Sequence, residues 1–351
     1  MSSTAPRPTG AEPTHESTDW RIYAGTGVPH DGISRLPPPP PWRRFDGGPV
    51  IEPRWDERQS GYGPVGAVQR ARSYQASQQT VDLVNAGLYL RRPLLITGKP
   101  GTGKSSLAES IAYELGLGPV LRWDIASHTT LHDGLYRYDA VGRLQEASPQ
   151  LAGAEAQDPA AIGRYIQLGP LGTALLPHER PRVLLIDELD KSGADLANDL
   201  LHVLEDGGFS IVELARLPDT TPVVEAMVSG GAARVPIRRG HVQCRAFPVV
   251  VMTSNAEREF PPAFLRRCIR LDLTPPDETV LANIVAAQLG DEALADSQPL
   301  IEQFLQRRES GDLATDQLLN AVYLATSGVR PPADARDLLT VALLRPLDGR
   351  G

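Results

Sequence analysis

The residues best suited to chemistry lie in a loop that follows an apolar run. Residues 94–105 have the sequence Leu-Leu-Ile-Thr-Gly-Lys-Pro-Gly-Thr-Gly-Lys-Ser, which contains the pattern G-x-x-x-x-G-K-S. Glycines let such a loop wrap a polyphosphate, and N–H groups at the start of the next helix point at the phosphates. Lys104 is expected to contact the β- and γ-phosphates, and the Ser105 hydroxyl is expected to bind Mg²⁺. The lysine is informative because the chain has only three lysines against 32 arginines, and a compact ammonium fits between phosphate oxygens where a planar guanidinium would not.

The flanks of the loop support the same interpretation. Apolar residues at helical spacing follow in residues 107–115, and Gly116 ends the run. Strand, glycine loop and helix therefore occur in the required order, which argues against a chance match in a glycine-rich chain. The nucleotide contacts expected from the loop are Gly98, Pro100, Gly101, Thr102, Gly103, Lys104, Ser105 and Ser106.

Two adjacent carboxylates end a second apolar run. Residues 183–188 are Val-Leu-Leu-Ile-Asp-Glu, a pattern typical of a strand buried on both faces of a parallel sheet. Ligands bind at the carboxyl ends of strands in open α/β folds. Asp187 is expected to help hold Mg²⁺, directly or through water, and Glu188 to orient and deprotonate the attacking water. An ordinary acidic turn is the alternative, and the presence of the glycine loop disfavours it.

Two further elements complete the candidate site. The apolar run at 249–255 ends at Asn255, whose side chain could position the lytic water or touch the γ-phosphate. Residues 260–268 predict a short helix with prolines at its start, which ends near Arg266 and Arg267. These arginines could complete the nucleotide site of a neighbouring subunit; an ordinary solvated arginine pair is the alternative.

These motifs together resemble those of the AAA+ ATPases, and within that class the MoxR-like group. In that comparison Gly98–Ser105 is the P-loop, Val183–Glu188 is the Walker B strand and Asn255 is sensor 1. Residues 253–267 and 169–176 carry the resemblance to the MoxR-like group. The resemblance covers about residues 66–345.

The resemblance implies a fold, a chemistry and an assembly. It implies an α/β P-loop NTPase with a parallel sheet flanked by helices and a small C-terminal helical lid. It implies ATP and Mg²⁺ as cofactors, hydrolysis in a homo-oligomeric ring, with a hexamer expected, and remodelling of a protein client, which could be a von Willebrand-type domain protein. Arg267 aligns with the arginine finger somewhat better than Arg266. Arg330 and Arg336 are the candidates for the sensor-2 arginine, although neither is cleanly in register.

The chain divides into three predicted parts: residues 1–65, 66–275 and 276–346. The first is proline-rich, with ten prolines among the first fifty residues, and is expected to be largely disordered. Three of the four tryptophans also lie there, which favours docking of segments 18–24 and 41–55 on the core, a neighbouring subunit or a partner. The second is the nucleotide-binding domain and the third is the lid.

A hairpin is expected within residues 222–246, around Ser229-Gly230-Gly231. In the MoxR-like group a hairpin at this place faces the ring pore.

Composition limits the class of function. A net charge of −8 argues against an electrostatic grip on nucleic acid. Two cysteines and no apolar leader favour a cytoplasmic protein, and no apolar stretch is long enough for a membrane span. Guanine-nucleotide, ABC-type and small-molecule kinase functions are disfavoured because their motifs are missing or do not occur in this order. A nucleic-acid-associated motor and an ATP-binding regulatory module without turnover remain as alternatives.

Overall fold

The structure of the protein, a computed structural model, describes most of the 351 residues. The described residues are 20–51, 66–146, 159–231, 233–308, 311–327, 339 and 342–345. The sensor-2 candidates Arg330 and Arg336 lie outside them, as do Trp55 and the first nineteen residues.

The described part of the chain contains short strands in its middle and helices throughout. The strands are Leu94–Gly98 (β1), Leu121–Asp124 (β2), Tyr136–Tyr138 (β3), Ile166–Leu168 (β4), Val183–Asp187 (β5), Gly208–Ser210 (β6), Val223–Met227 (β7), Arg234–Arg238 (β8), His241–Gln243 (β9), Val249–Ser254 (β10) and Ile269–Leu273 (β11). The α-helices are Ala67–Ser73 (α1), Gln78–Leu90 (α2), Lys104–Glu114 (α3), Leu131–Leu135 (α4), Ala140–Glu146 (α5), Pro170–Ala174 (α6), Ala194–Asp206 (α7), Val212–Ala215 (α8), Pro262–Leu265 (α9), Glu278–Leu289 (α10), Asp291–Arg308 (α11) and Thr315–Thr326 (α12).

Five parallel strands form the central sheet, in the order β11-β1-β10-β5-β2. Alternate residues of a strand face opposite sides of a sheet, and two hydrophobic clusters cover the two faces. Val183 and Leu185 pack into the cluster that includes residues of α2 and α3, whereas Leu184 and Ile186 pack into the one that includes residues of α6 and α7. Burial on both faces explains the unbroken apolar runs. The predicted α/β fold with a helix-flanked parallel sheet is therefore confirmed.

A second sheet lies beside the first, with the strand order β3-β4-β7-β8-β9-β6. Its centre is an antiparallel hairpin of β7 and β8, in which Val223 pairs with Arg238 and Met227 with Arg234. The turn between them contains Gly230, as the sequence predicted. The hairpin alternates exposed and buried residues. Its buried apolar side chains belong to the cluster that includes residues of α6 and α7.

The C-terminal helices have a hydrophobic core of their own. Residues of α10, α11 and α12 form a third cluster, with Leu281, Ile301, Phe304, Leu318 and Val322 at its centre. A helical C-terminal region is therefore present. The boundary at residues 275 and 276 remains a prediction. None of the helices described is both long and apolar enough to cross a membrane.

The N-terminal segment packs on the core where the structure describes it. Ile22 and Tyr23 are fully buried, and the Asn85 side chain accepts hydrogen bonds from both of their N–H groups at 2.6 and 3.0 Å. The Tyr23 hydroxyl lies 2.8 Å from the Ser110 hydroxyl of α3. For residues 20–51 this corrects the expectation of a largely disordered segment. Disorder was inferred from proline content, which excludes helix and central strand but does not exclude an extended segment that buries a few large side chains.

A buried carboxylate explains how the segment is held. The side chain of Glu114, at the end of α3, has no solvent exposure and binds backbone N–H groups of the N-terminal segment. These donors belong to Ala24 at 2.5 Å, Gly25 at 3.0 Å, Thr26 at 2.7 Å and Gly27 at 3.0 Å, and His30 Nε2 lies 3.1 Å away. A buried charge is tolerated only when it is so thoroughly hydrogen-bonded.

We expect Glu114→Ala to destabilise the fold. Four N–H groups would lose their acceptor: that of Gly27 is buried, and the other three are partly buried. A buried N–H group without an acceptor costs about 1–3 kcal/mol and a partly exposed one less, so the free energy of unfolding should fall by about 3 kcal/mol. Urea denaturation followed by circular dichroism measures the change. The matched control is Glu302→Ala, at an exposed position of α11, which should unfold at the wild-type urea concentration. An unchanged midpoint for Glu114→Ala would show that the segment is not held in this way.

Candidate active site

The predicted site residues converge at the carboxyl end of the central sheet. β1, β5 and β10 are adjacent and parallel, so the segments that follow them lie side by side. A cavity of about 840 Å³ opens above this edge, and Lys104, Ser105, Asp187, Glu188 and Asn255 all line it. The structure therefore brings together residues that are far apart in sequence.

The opposite wall of the cavity comes from helices outside the sheet. Residues of α1, α10 and α12 and the residue after α1 contribute to it: Arg70, Tyr74, Val280, Ile284, Gln288 and Leu319. The cavity thus combines a polar floor at the sheet edge with a partly apolar wall, and its volume is within the range of small-molecule sites.

The glycine loop has a left-handed backbone at two of its glycines. Gly101 has φ +74° and Gly103 has φ +85°, and α3 begins directly after Gly103. A Cβ at Gly101 would overlap the backbone of Ala314, and the Thr315 hydroxyl donates to the Gly101 carbonyl at 2.8 Å. The loop is thus also in contact with the segment that begins α12.

The Lys104 ammonium lies within this loop and donates to three oxygens. Nζ is 2.7 Å from the Gly98 carbonyl, 2.9 Å from the Lys99 carbonyl and 2.8 Å from Asn255 Oδ1. Burial lowers the pKa of Lys104 from its ordinary value, and the charges of Asp190, Asp187 and Glu188 oppose that lowering. Since its three acceptors are neutral, the ammonium is free to exchange them for anionic oxygens of a ligand.

The two residues predicted to bind metal are in direct contact. Ser105 Oγ donates to Asp187 Oδ1 at 2.8 Å, and Thr253 Oγ1 donates to the same oxygen at 2.6 Å. Arg122 Nη2 donates to Asp187 Oδ2 at 3.0 Å. The roles of Thr253 and Arg122 were missed in the sequence, although each is a polar residue in a strand that is otherwise largely apolar.

Glu188 is held at both its backbone and its side chain. Its φ is +60°, an unusual value for a residue with a side chain, and its N–H donates to Thr253 Oγ1 at 2.8 Å. Lys191 Nζ donates to Glu188 Oε2 at 2.6 Å, a contact that raises the pKa of Lys191. All three lysines of the chain are thus near this edge of the sheet, since Lys99 is the third. The scarcity of lysine was the signal that could have identified Lys191.

Asn255 is fixed by a residue that the sequence analysis did not select. Its backbone N–H donates to Asp190 Oδ2 at 2.9 Å, and the N–H of Glu257 donates to the same oxygen at 3.1 Å. Asp190 follows Glu188 by two residues, in a short 3-10 turn formed by Leu189–Lys191.

The arginine pair lies outside the cavity. Arg267 contacts the Glu205 carboxylate through Nε and donates from Nη1 to the Ala263 carbonyl at 3.1 Å, while the Arg266 side chain is exposed. Neither lines the cavity of its own chain. Their contribution to a neighbouring subunit's site remains a prediction.

Comparisons with known proteins identify a family for the chain. Residues 93–268, just over half of the chain, match the family model described as AAA domain (dynein-related subfamily). Over 202 residues the chain is 29% identical to a ClpA homolog protein of Fuscovulum blasticum, an alignment that covers 56% of this chain and 23% of that relative. The chain thus spans about a quarter of the length of the curated relative.

Among solved structures, the chain is similar to domain III of the replication initiation protein DnaA from Thermotoga maritima. The TM-score is 0.40 and the sequence identity 15%, over 81% of this chain and 99% of that one. The glycine loop, the two carboxylates and the Asn255 amide lie at one edge of the central sheet. The residues that match the family model include the strands and loops that carry these groups. The chain belongs to the AAA domain family, in its dynein-related subfamily.

Proposed function

We propose that the protein binds ATP with Mg²⁺ at the carboxyl end of β1, β5 and β10 and hydrolyses it. The observation that carries the proposal is two hydrogen-bonded pairs of side chains that line the same cavity. Lys104 contacts Asn255, and Ser105 contacts Asp187. These are the four side chains that an ammonium–phosphate contact, a metal site and a water-positioning amide require, and they come from three separate segments.

The residues fit a nucleotide triphosphate with its metal ion. The glycine loop turns its backbone at the positive φ angles of Gly101 and Gly103, and both glycines line the cavity. Ser105 Oγ and Asp187 Oδ1 are oxygen ligands of the kind that Mg²⁺ prefers, 2.8 Å apart. When bound, the metal ion would neutralise negative charge on the β- and γ-phosphates.

Each residue at the floor of the cavity would then have a separate role. Lys104 and the N–H groups of the loop would bind the phosphates, with Ser105 and Asp187 holding the metal ion. Thr253 and Arg122 would orient Asp187, since each donates a hydrogen bond to one of its oxygens. Asn255 accepts from Lys104 through Oδ1, so its amide N–H₂ is the end that we assign to the γ-phosphate or the lytic water.

Glu188 is the residue that we assign to proton abstraction. It lines the cavity at the end of β5, and Lys191 binds its Oε2. We assign the other carboxylate oxygen to the attacking water, from which it would take a proton as general base. The Thr253 contact to the Glu188 N–H would keep this unusual backbone conformation in place.

The cellular role proposed here is remodelling or activation of a protein partner by a ring of subunits. The family assignment and the resemblance to the MoxR-like group support it, together with an arginine pair that lies away from the cavity of its own chain. A hexamer, a von Willebrand-type client, a pore-facing β7–β8 hairpin and a cytoplasmic location belong to the same proposal. The net charge of −8 favours a protein client over nucleic acid.

Glu188→Gln tests the proposal. ATP should still bind, because Lys104, Ser105 and Asp187 remain, while turnover should fall by about 10²–10⁴-fold with loss of the general base. Calorimetry measures binding, and phosphate release measures turnover. Glu302→Gln, on the exposed side of α11, is the matched control and should match wild type in both. A Glu188→Gln protein that hydrolyses ATP at the wild-type rate would exclude Glu188 as the base.

A further inference from the structure

Asp190 is a buried carboxylate with one oxygen in use. Its exposed fraction is 5%. Oδ2 accepts the N–H groups of Asn255 and Glu257, at 2.9 and 3.1 Å, whereas Oδ1 is buried without a hydrogen-bond partner among the described residues. A buried acidic side chain with an unsatisfied oxygen is costly, so the contacts that Asp190 does make must offset that cost.

The turn that Asp190 binds has an unfavourable backbone conformation. Ala256, between the two donors, has φ +61°, a region that residues with a side chain rarely occupy unless the surrounding structure imposes it. The Ala256 N–H donates to Ser254 Oγ at 2.9 Å, so all three successive N–H groups of the turn are bound by side chains. Arg258 Nη1 donates to the Ser192 carbonyl at 2.5 Å and fastens the end of the turn to the segment after Asp190.

The turn determines where the Asn255 side chain lies. Asn255 is the first residue after β10, and its Oδ1 contacts Lys104 Nζ at 2.8 Å. Without the Asp190 contacts, the N–H groups of Asn255 and Glu257 would be unpaired, and the amide would lose its fixed direction. Asp190 in turn follows directly from the segment that carries Asp187 and Glu188.

We propose that Asp190 is a positioning residue, which holds the turn of residues 255–257 so that the Asn255 amide faces the phosphate end of the cavity. The inference rests on the proposed ATP hydrolysis and deepens it. Asp190 does not line the cavity and acts through Asn255. Its oxygen is needed for this role, because one acceptor atom serves both N–H donors; its charge is not.

Two replacements of Asp190 distinguish the contribution of its oxygen from that of its charge. Asp190→Ala removes the acceptor, and kcat should fall by about 10²-fold, as a slight misplacement of a catalytic group can cause. The KM for ATP should stay within about threefold, because the loop and the Lys104 contacts to Gly98 and Lys99 are kept. Asp190→Asn keeps a carbonyl oxygen for both N–H groups and should retain kcat within about threefold of wild type. Asp296→Ala, at an exposed position of α11, controls for loss of an aspartate.

A double-mutant cycle tests whether Asp190 acts through Asn255. Added to Asn255→Ala, the Asp190→Ala change should lower kcat by less than about twofold, because the side chain that it positions is already absent. If the double variant loses kcat by the product of the two single losses, the proposal is overturned. It is also overturned if the kcat of Asp190→Asn is as low as that of Asp190→Ala. If Asp190→Ala does not fold, Asp190→Ser replaces it, since its hydroxyl ends one bond short of the carboxylate oxygen.

Amide hydrogen exchange without nucleotide gives a readout that does not depend on turnover. The amides of residues 255–257 should be protected in wild type and Asp190→Asn and should exchange faster in Asp190→Ala, while peptides of α10 remain unchanged. If wild type does not hydrolyse ATP, the proposed function fails, and exchange still decides whether Asp190 holds the turn. If wild type is active and Asp190→Ala keeps its kcat and its protection, the positioning role fails and the proposed function stands.

Discussion

Lys104→Ala should abolish ATP binding. The Lys104 ammonium is the cation at the centre of the glycine loop, where it donates to Gly98 O, Lys99 O and Asn255 Oδ1. Phosphate oxygens would take the place of these neutral acceptors and gain a charge-assisted contact that alanine cannot provide. Isothermal titration calorimetry with ATP and Mg²⁺ should therefore show saturable binding by wild type and none by the variant.

Lys99→Ala is the matched control for this experiment. It removes a lysine from the same loop, but Lys99 points to the C-terminal helices, where Nζ lies 2.6 Å from Asp312 Oδ1, and its side chain is 60% exposed. An exposed ion pair contributes little, so ATP affinity should stay within about tenfold of wild type. A Lys104→Ala protein whose ATP affinity lies within about twofold of wild type would refute the assignment of the loop.

Arg267→Ala should leave ATP binding intact and lower hydrolysis by about 10³–10⁵-fold, the contribution of an arginine supplied from a second subunit. The physical reason is its position: Arg267 follows α9, is tied to Glu205 and Ala263, and does not line the cavity of its own chain. If its charge acts on a nucleotide, that nucleotide is therefore the one bound by a neighbour. Arg266→Ala is the companion variant, and the larger loss identifies the arginine that acts.

Mixing two inactive variants tests whether the site is shared. Arg267→Ala has an intact loop, and Lys104→Ala keeps its arginine, so a ring containing both would have some complete interfaces. The phosphate-release rate of the mixture should exceed the sum of the two separate rates. Sedimentation must show mixed rings; if it does and the rate shows no gain, Arg267 does not act across the interface.

The sheet and the floor of the cavity were predictable because their signals are local. Each of β1, β5 and β10 begins with an unbroken apolar run, and residues that line the cavity follow at or after its end. Parallel strands place their carboxyl ends together, so Lys104, Asp187 and Asn255 could be assigned to one site without any knowledge of distances. The hairpin of β7 and β8 was likewise predicted from its glycine turn.

The supporting contacts could not be predicted because they join distant segments through side chains without a distinctive pattern. Thr253, Arg122 and Asp190 are common residue types whose roles exist only once β2, β5 and β10 are adjacent. Glu114 lies in the sequence among helix formers and could be an ordinary surface glutamate. Its partners lie up to 90 residues away, and only the packed N-terminal segment shows that it is buried.

Steady-state release of phosphate from ATP by the purified wild-type protein, with Mg²⁺ and with Mg²⁺ removed by EDTA, tests directly whether the protein is an ATPase. We expect release that saturates with ATP, requires Mg²⁺ and is absent from Lys104→Ala protein prepared in the same way. A wild-type protein that binds ATP in calorimetry, yet releases phosphate no faster than Lys104→Ala at protein concentrations where rings form, would contradict this expectation.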